Sequence, residues 1–113
     1  MHQFRARPVS RYILVLVTAP TADEAELIAQ KLLKKRLAAC VNIVPNLLSI
    51  YRWKGKVERD EECMMIIKTE KRVLKKLEKR IKKMHSYEVP EILVFRVEEG
   101  EKEYLKWISS VVK

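Results

Sequence analysis

Apolar and polar positions along this chain follow first one period and then another, and the switches between them mark out the elements. Tyr12 to Val17 is an unbroken β-branched and aliphatic run, the pattern of a strand covered on both faces, and Thr18-Ala19-Pro20 ends it. Thr21-Ala22-Asp23-Glu24 has the form of a capping box. The Thr21 hydroxyl would accept from the Glu24 backbone N–H while the Glu24 carboxylate reaches back. Ala25, Ile28, Ala29, Leu32 and Leu33 then recur at helical spacing. Asp23, Glu24 and Glu26 lie at the positive end of that helix, and Lys31, Lys34, Lys35 and Arg36 crowd its last turns.

Val41 to Val57 reads as a long strand that reverses tightly at Lys54-Gly55, and Glu58 to Thr69 returns, polar near the turn and apolar through Cys63-Met64-Met65-Ile66-Ile67. A proline cannot donate to a ladder, so Pro45 puts the outgoing strand at an edge or a bulge. A second helix is expected from Thr69, with Val73, Leu74, Leu77, Ile81 and Met84 on its apolar side. Pro90 interrupts, Ile92 to Val97 forms the next strand, and after Gly100 a last helix carries Tyr104, Leu105, Ile108 and Val111/Val112 on one side.

This order predicts an α+β, ferredoxin-like β-α-β-β-α-β fold with an extra C-terminal helix and a long hairpin between the second and third strands. Right-handed crossovers place strands one and three in the middle and the long second strand at an edge. Such a strand, at ~3.3 Å per residue, outreaches helices that rise only ~1.5 Å per residue. The hairpin tip around Tyr51, Trp53 and Gly55 would then expose aromatics and an unpaired edge. Soluble proteins cover or pair such edges, so the pattern predicts self-association.

Length fits one domain: a flexible basic tail over residues 1–11, and a single folded unit over 12–113. The net charge of +9 changes the picture less than its distribution does. Nine basic residues between Lys68 and Lys83 face only Glu70 and Glu78, and Arg5, Arg7 and Arg11 add to the tail. The first and third strands lack the stacking aromatics with which ferredoxin-like sheets bind RNA. No specific nucleic acid is therefore expected, although the lysine-rich helix could touch phosphate weakly. A 35% charged content also fits a high growth temperature. Cys40 and Cys63 lie in apolar settings without zinc or redox spacing, and read as buried free thiols. No apolar stretch reaches a membrane span, so neither membrane insertion nor a location outside the cytoplasm is expected.

Several segments resemble signatures of the CutA divalent-cation-tolerance family. They are Val17-Thr18-Ala19-Pro20, Leu37-Ala38-Ala39-Cys40-Val41-Asn42-Ile43-Val44-Pro45, Ser49-Ile50-Tyr51-Arg52-Trp53-Lys54-Gly55-Lys56-Val57-Glu58, Ile66-Ile67-Lys68-Thr69, His85-Ser86-Tyr87-Glu88-Val89-Pro90-Glu91-Ile92 and Tyr104-Leu105-Lys106-Trp107. The resemblance runs from about residue 12 to the C-terminus. It implies a ferredoxin-like fold, a homotrimer built through the long hairpin strands, and a link to tolerance of copper and other divalent metals. It brings no enzymatic reaction. The family's metal-ligand pattern falls here on Val17, Met84 and His85, of which His85 alone keeps the family residue.

Two candidate chemistries follow. His85 beside Glu88 and Glu91 is the start of a coordination set for copper or another divalent cation. Alternatively, His85 is a helix-end residue bonded to backbone or carboxylate. Tyr51, Trp53, Glu62, Lys68, Tyr87 and Glu91 would line an interface cleft for a small ligand if the hairpin pairs across chains. Their other reading is interface packing and ion pairs. No arrangement for nucleophilic or acid–base catalysis and no phosphate-cradling glycine loop stands out, so the chain is not expected to be an enzyme.

Overall fold

The structure, a computed structural model, describes residues 10–113. Most of the expected basic tail, residues 1–9, lies outside the described residues. Within the expected tail, Arg11 is described, and its carbonyl accepts from the Lys71 N–H at 2.8 Å.

The elements are β1 (Tyr12–Ala19), α1 (Ala22–Lys34), β2 (Cys40–Trp53), β3 (Lys56–Glu70), α2 (Leu74–Met84), β4 (Ile92–Arg96) and α3 (Lys102–Val111). They form one antiparallel sheet in the order β2-β3-β1-β4, the ferredoxin-like arrangement with β1 and β3 central. Ile13, Val15, Val17 and Ala19 of β1, with Cys63, Met65 and Ile67 of β3, bury their side chains against Ala25, Ile28 and Leu32 of α1 and Leu77 and Ile81 of α2. Coverage of β1 on both faces does not hold. Tyr12, Leu14 and Leu16 alternate with its buried residues and are only half-buried, because both long helices pack on one side of the sheet.

α3 crosses the other side at one end and is held there by a polar chain. Arg72 Nε donates to the buried Glu70 carboxylate at 2.7 Å, and the Ser109 hydroxyl donates to its second oxygen at 2.8 Å. With its proton so used, the Ser109 oxygen accepts from the Tyr12 hydroxyl at 2.8 Å. Arg72 Nη2 also donates to the Val112 carbonyl at 2.8 Å. Removing Arg72 would leave the buried Glu70 carboxylate with the Ser109 hydroxyl as its remaining partner.

Two local expectations need correction. Thr69 does not start α2. It is fully buried in β3 and donates its hydroxyl to the Leu37 carbonyl at 2.7 Å, so the strand runs on to Glu70 and a 3-10 turn, Lys71–Val73, precedes the helix. Cys40, expected to be buried, is half-buried on the edge strand, whereas Cys63 is buried; both are free thiols.

The hairpin behaves as its length requires. β2 and β3 have 14 and 15 residues against 13 in α1 and 11 in α2, and the molecule is 52 Å in its longest dimension. Lys54 and Gly55 both have positive φ, 49° and 79°, as a two-residue primed turn demands. Pro45 marks both of its expected features, since β2 is an edge strand and its register shifts between Val44 and Leu47.

Candidate functional site

Where β1 stops at Ala19, β3 runs on without its inner neighbour, and the segment after α2 fills the space beside it. His85 anchors that segment. Its Nδ1 accepts from the Tyr87 backbone N–H at 3.0 Å, so the ring proton sits on Nε2, which donates to the Thr18 carbonyl at 2.7 Å. The Glu24 carboxylate lies 3.5 Å from Nδ1, but with no proton between them this is proximity rather than an ion pair. Glu24 instead accepts from the Ser86 N–H at 2.9 Å and the Ser86 hydroxyl at 3.0 Å. Half of the capping box therefore forms, with the Glu24 N–H donating to Thr21 Oγ1 at 3.1 Å, while the carboxylate is turned across to fasten the end of α2 to the start of α1.

So held, Tyr87 tilts against the His85 ring at 4.8 Å and donates its hydroxyl to Glu62 at 2.8 Å. On the neighbouring edge strand, Tyr51 donates its hydroxyl to Asp60. The two phenol–carboxylate pairs feel one another's charge, and both phenols are harder to ionise than usual. For Tyr51 the hydrogen bond to Asp60 is the main cause, followed by burial and the nearby carboxylates, and its pKa is pushed up to about 12. For Tyr87 burial comes first, then the bond to Glu62, and the push is again upward.

Of the predicted cleft residues, a single chain brings together Tyr51, Glu62 and Tyr87. Trp53 lies at the hairpin tip, 59% exposed, with the Lys54 ammonium 6.0 Å from its ring centre. Lys68 is six positions along β3 from Glu62, roughly 20 Å at strand rise, and sits 5.7 Å from the Tyr104 ring centre. Glu91 is exposed just before β4. Asp60, Glu24, Thr18 and Ser86 complete the site, although the sequence pattern marks none of them as a site residue. Asp60 was within reach of pattern reasoning. A two-residue turn at Lys54-Gly55 fixes Tyr51 opposite Glu58, and Asp60 is then its diagonal neighbour on the same face.

Metal coordination is a poorer match to this geometry. Both His85 nitrogens are engaged and its side chain is fully buried. Val17, at a family ligand position, offers only buried alkyl carbon, and Met84 packs half-buried against the core. Among the described residues no three His, Cys, Asp or Glu side chains gather as a metal-holding group, so His85, Glu88 and Glu91 do not assemble into one. As folded, these residues do not fit a bound metal.

Comparison with known proteins decides the family. The family described as CutA1 divalent ion tolerance protein matches residues 13–111. This chain belongs to the CutA family. The "Divalent-cation tolerance protein CutA" of Thermus thermophilus is 48% identical over 95 residues, covering 84% of this chain and 92% of that protein. A human relative, "Protein CutA", is 43% identical over 86% of this chain, which spans only 54% of the human protein. Among solved structures, the Thermus thermophilus Cut A1 protein superposes with a TM-score of 0.88 at 45% identity, over 90% of this chain and 99% of that one. The Archaeoglobus fulgidus structure, described as a periplasmic divalent cation tolerance protein CutA, gives 0.88 at 43% identity over 90% and 99%. Among the described residues no helix is long and apolar enough to cross a membrane.

Proposed function

We propose that this CutA-family chain is a homotrimeric, non-catalytic protein of divalent-metal tolerance, copper among its metals, and that it works in the cytoplasm. One observation carries the assembly. The arm formed by β2 and β3 projects with Leu48, Ile50, Trp53 and Val57 between 46% and 64% exposed, beside an edge strand that has one neighbour. An apolar arm with a free edge is the surface that a second and third copy would complete. The metal role rests on the relatives' names, and the cytoplasmic placement is supported by two unpaired thiols.

For His85 to ligate copper, it would have to release either the Thr18 carbonyl or the Tyr87 amide. Light scattering at micromolar concentration should give three times the 13.4 kDa of one chain. Cupric titration of untagged protein, with His85→Ala alongside, then tests the ligand. Weaker binding by the variant at unchanged mass supports His85, and equal binding removes it from the ligand set.

A second reading is favoured by the paired Tyr51–Asp60 and Tyr87–Glu62 contacts: a small-ligand sensor with its cleft between copies, completed by Trp53, Lys68 and Glu91. A Trp53→Ala variant that stays trimeric but loses ligand response would support this reading over plain packing.

A further inference from the structure

α2 turns its apolar residues inward and a single charge outward. Leu77 and Ile81 are buried, while Lys75, Lys76, Lys79, Lys82 and Lys83 are all exposed. At 100° per residue these five lysines occupy an arc of roughly 120°, and from Lys75 to Lys83 they span about 12 Å of helix. The exposed Lys71 extends the strip into the preceding turn. Glu78 is the one acid within the helix, and it is half-buried at the flank.

Heat adaptation would place such charges in networks of alternating sign. Here, among the described residues, the ion pairs are Arg72–Glu70 and Lys106–Glu103, and neither reaches the five lysines. Lys75 and Lys79, Lys79 and Lys82, and Lys79 and Lys83 stand three or four positions apart, where like charges destabilise a helix by about 0.2–0.5 kcal/mol per pair. The strip therefore opposes the stability of its own helix, and an external polyanion would relieve that repulsion. No aromatic or apolar side chain stands among the lysines, so the face offers neither a platform for unstacked bases nor a wedge into lipid. What remains is contact with closely spaced phosphates, at the charge density a duplex presents.

We infer that the lysine face of α2 docks on the phosphate backbone of double-stranded nucleic acid without reading its sequence. This stands apart from the metal-tolerance reading and from assembly, since it needs only one exposed helix.

The test is fluorescence anisotropy with two labelled DNA duplexes of unrelated sequence, titrated with the whole protein between about 50 and 200 mM salt. Both duplexes should bind alike, and affinity should fall steeply with salt, with a log–log slope near −4 for four to five phosphates neutralised. Lys75→Gln/Lys79→Gln/Lys83→Gln should reduce that slope by about 3 and weaken binding at least tenfold at the lower salt. Lys56→Gln/Lys102→Gln/Lys106→Gln removes the same charge elsewhere and should bind nearly as wild type. Equal losses in both variants would reduce the effect to overall basicity and overturn the proposal. So would absence of duplex binding at about 50 mM salt, or binding confined to phosphatidylserine vesicles.

Discussion

Tyr51 and Tyr87 show how two similar side chains reach the same electrostatic state by different routes. Tyr51 is 40% exposed and owes its raised pKa chiefly to the hydroxyl it gives to Asp60, whereas Tyr87 owes its own to burial before the bond to Glu62. In both, the folded state holds the phenolic proton more tightly than the unfolded chain, whose tyrosines ionise near pH 10. The stabilisation is therefore complete below about pH 10 and is lost as pH climbs through the folded value, about 12 for Tyr51. Spectrophotometric titration of tyrosinate should show a late step beyond pH 11, which Tyr51→Phe/Tyr87→Phe removes. A double variant that kept the step would place the late-ionising phenols elsewhere. His85 has a different task, holding backbone. With Thr18 on one ring nitrogen and Tyr87 on the other, it aims Tyr87 at Glu62, and its place in this protein is first of all a positioning one.

At the scale of elements, the long periodic segments were legible because packing agreed with pattern. Ala25, Ile28, Ala29 and Leu32 repeat at helical spacing and are the buried residues of α1. Pro45 and Lys54-Gly55 announced the bulge and the turn by their backbone chemistry. Thr69 misled because a hydroxyl before a basic, helical run imitates a cap, and nothing local reveals that the Leu37 carbonyl, far back along the chain, waits for it. Glu24 misled similarly: its local partner was at hand, but Ser86, brought in by the fold, won the carboxylate. The candidate site was half-legible for the same reason. Its tyrosines could be named from sequence, whereas their alignment depends on which strand ends first. Turn chemistry also yields a prediction here. Lys54 adopts φ 49°, a conformation that costs most L-residues about 1–2 kcal/mol, and asparagine tolerates it better. Lys54→Asn should therefore raise stability by about 0.5–1 kcal/mol, read as a higher denaturation midpoint with an unchanged slope. A lower midpoint would mean that the Lys54 ammonium beside Trp53 contributes more than the strained backbone costs.

For the whole molecule, the question is what shields an arm that its own helices do not reach. Ile50 and Val57 are diagonal neighbours on one face of the hairpin and are 63% and 64% exposed, so within a single chain they are surface residues. Replacing both with glutamate should change the stability of an isolated chain by no more than about 0.5 kcal/mol per site. The same two carboxylates, buried between copies without partners, would cost several kcal/mol at each repeat of the interface. The two circumstances thus separate cleanly in one variant. If neighbouring copies cover the arm, Ile50→Glu/Val57→Glu should scatter light as a 13.4 kDa particle at concentrations where the parent is three times heavier, with its helical circular dichroism retained. A variant that kept the parent's mass would show that this face of the arm stays in water after all. The site along it, Tyr51 with Asp60 and Tyr87 with Glu62, would then have to act with the residues of one chain alone.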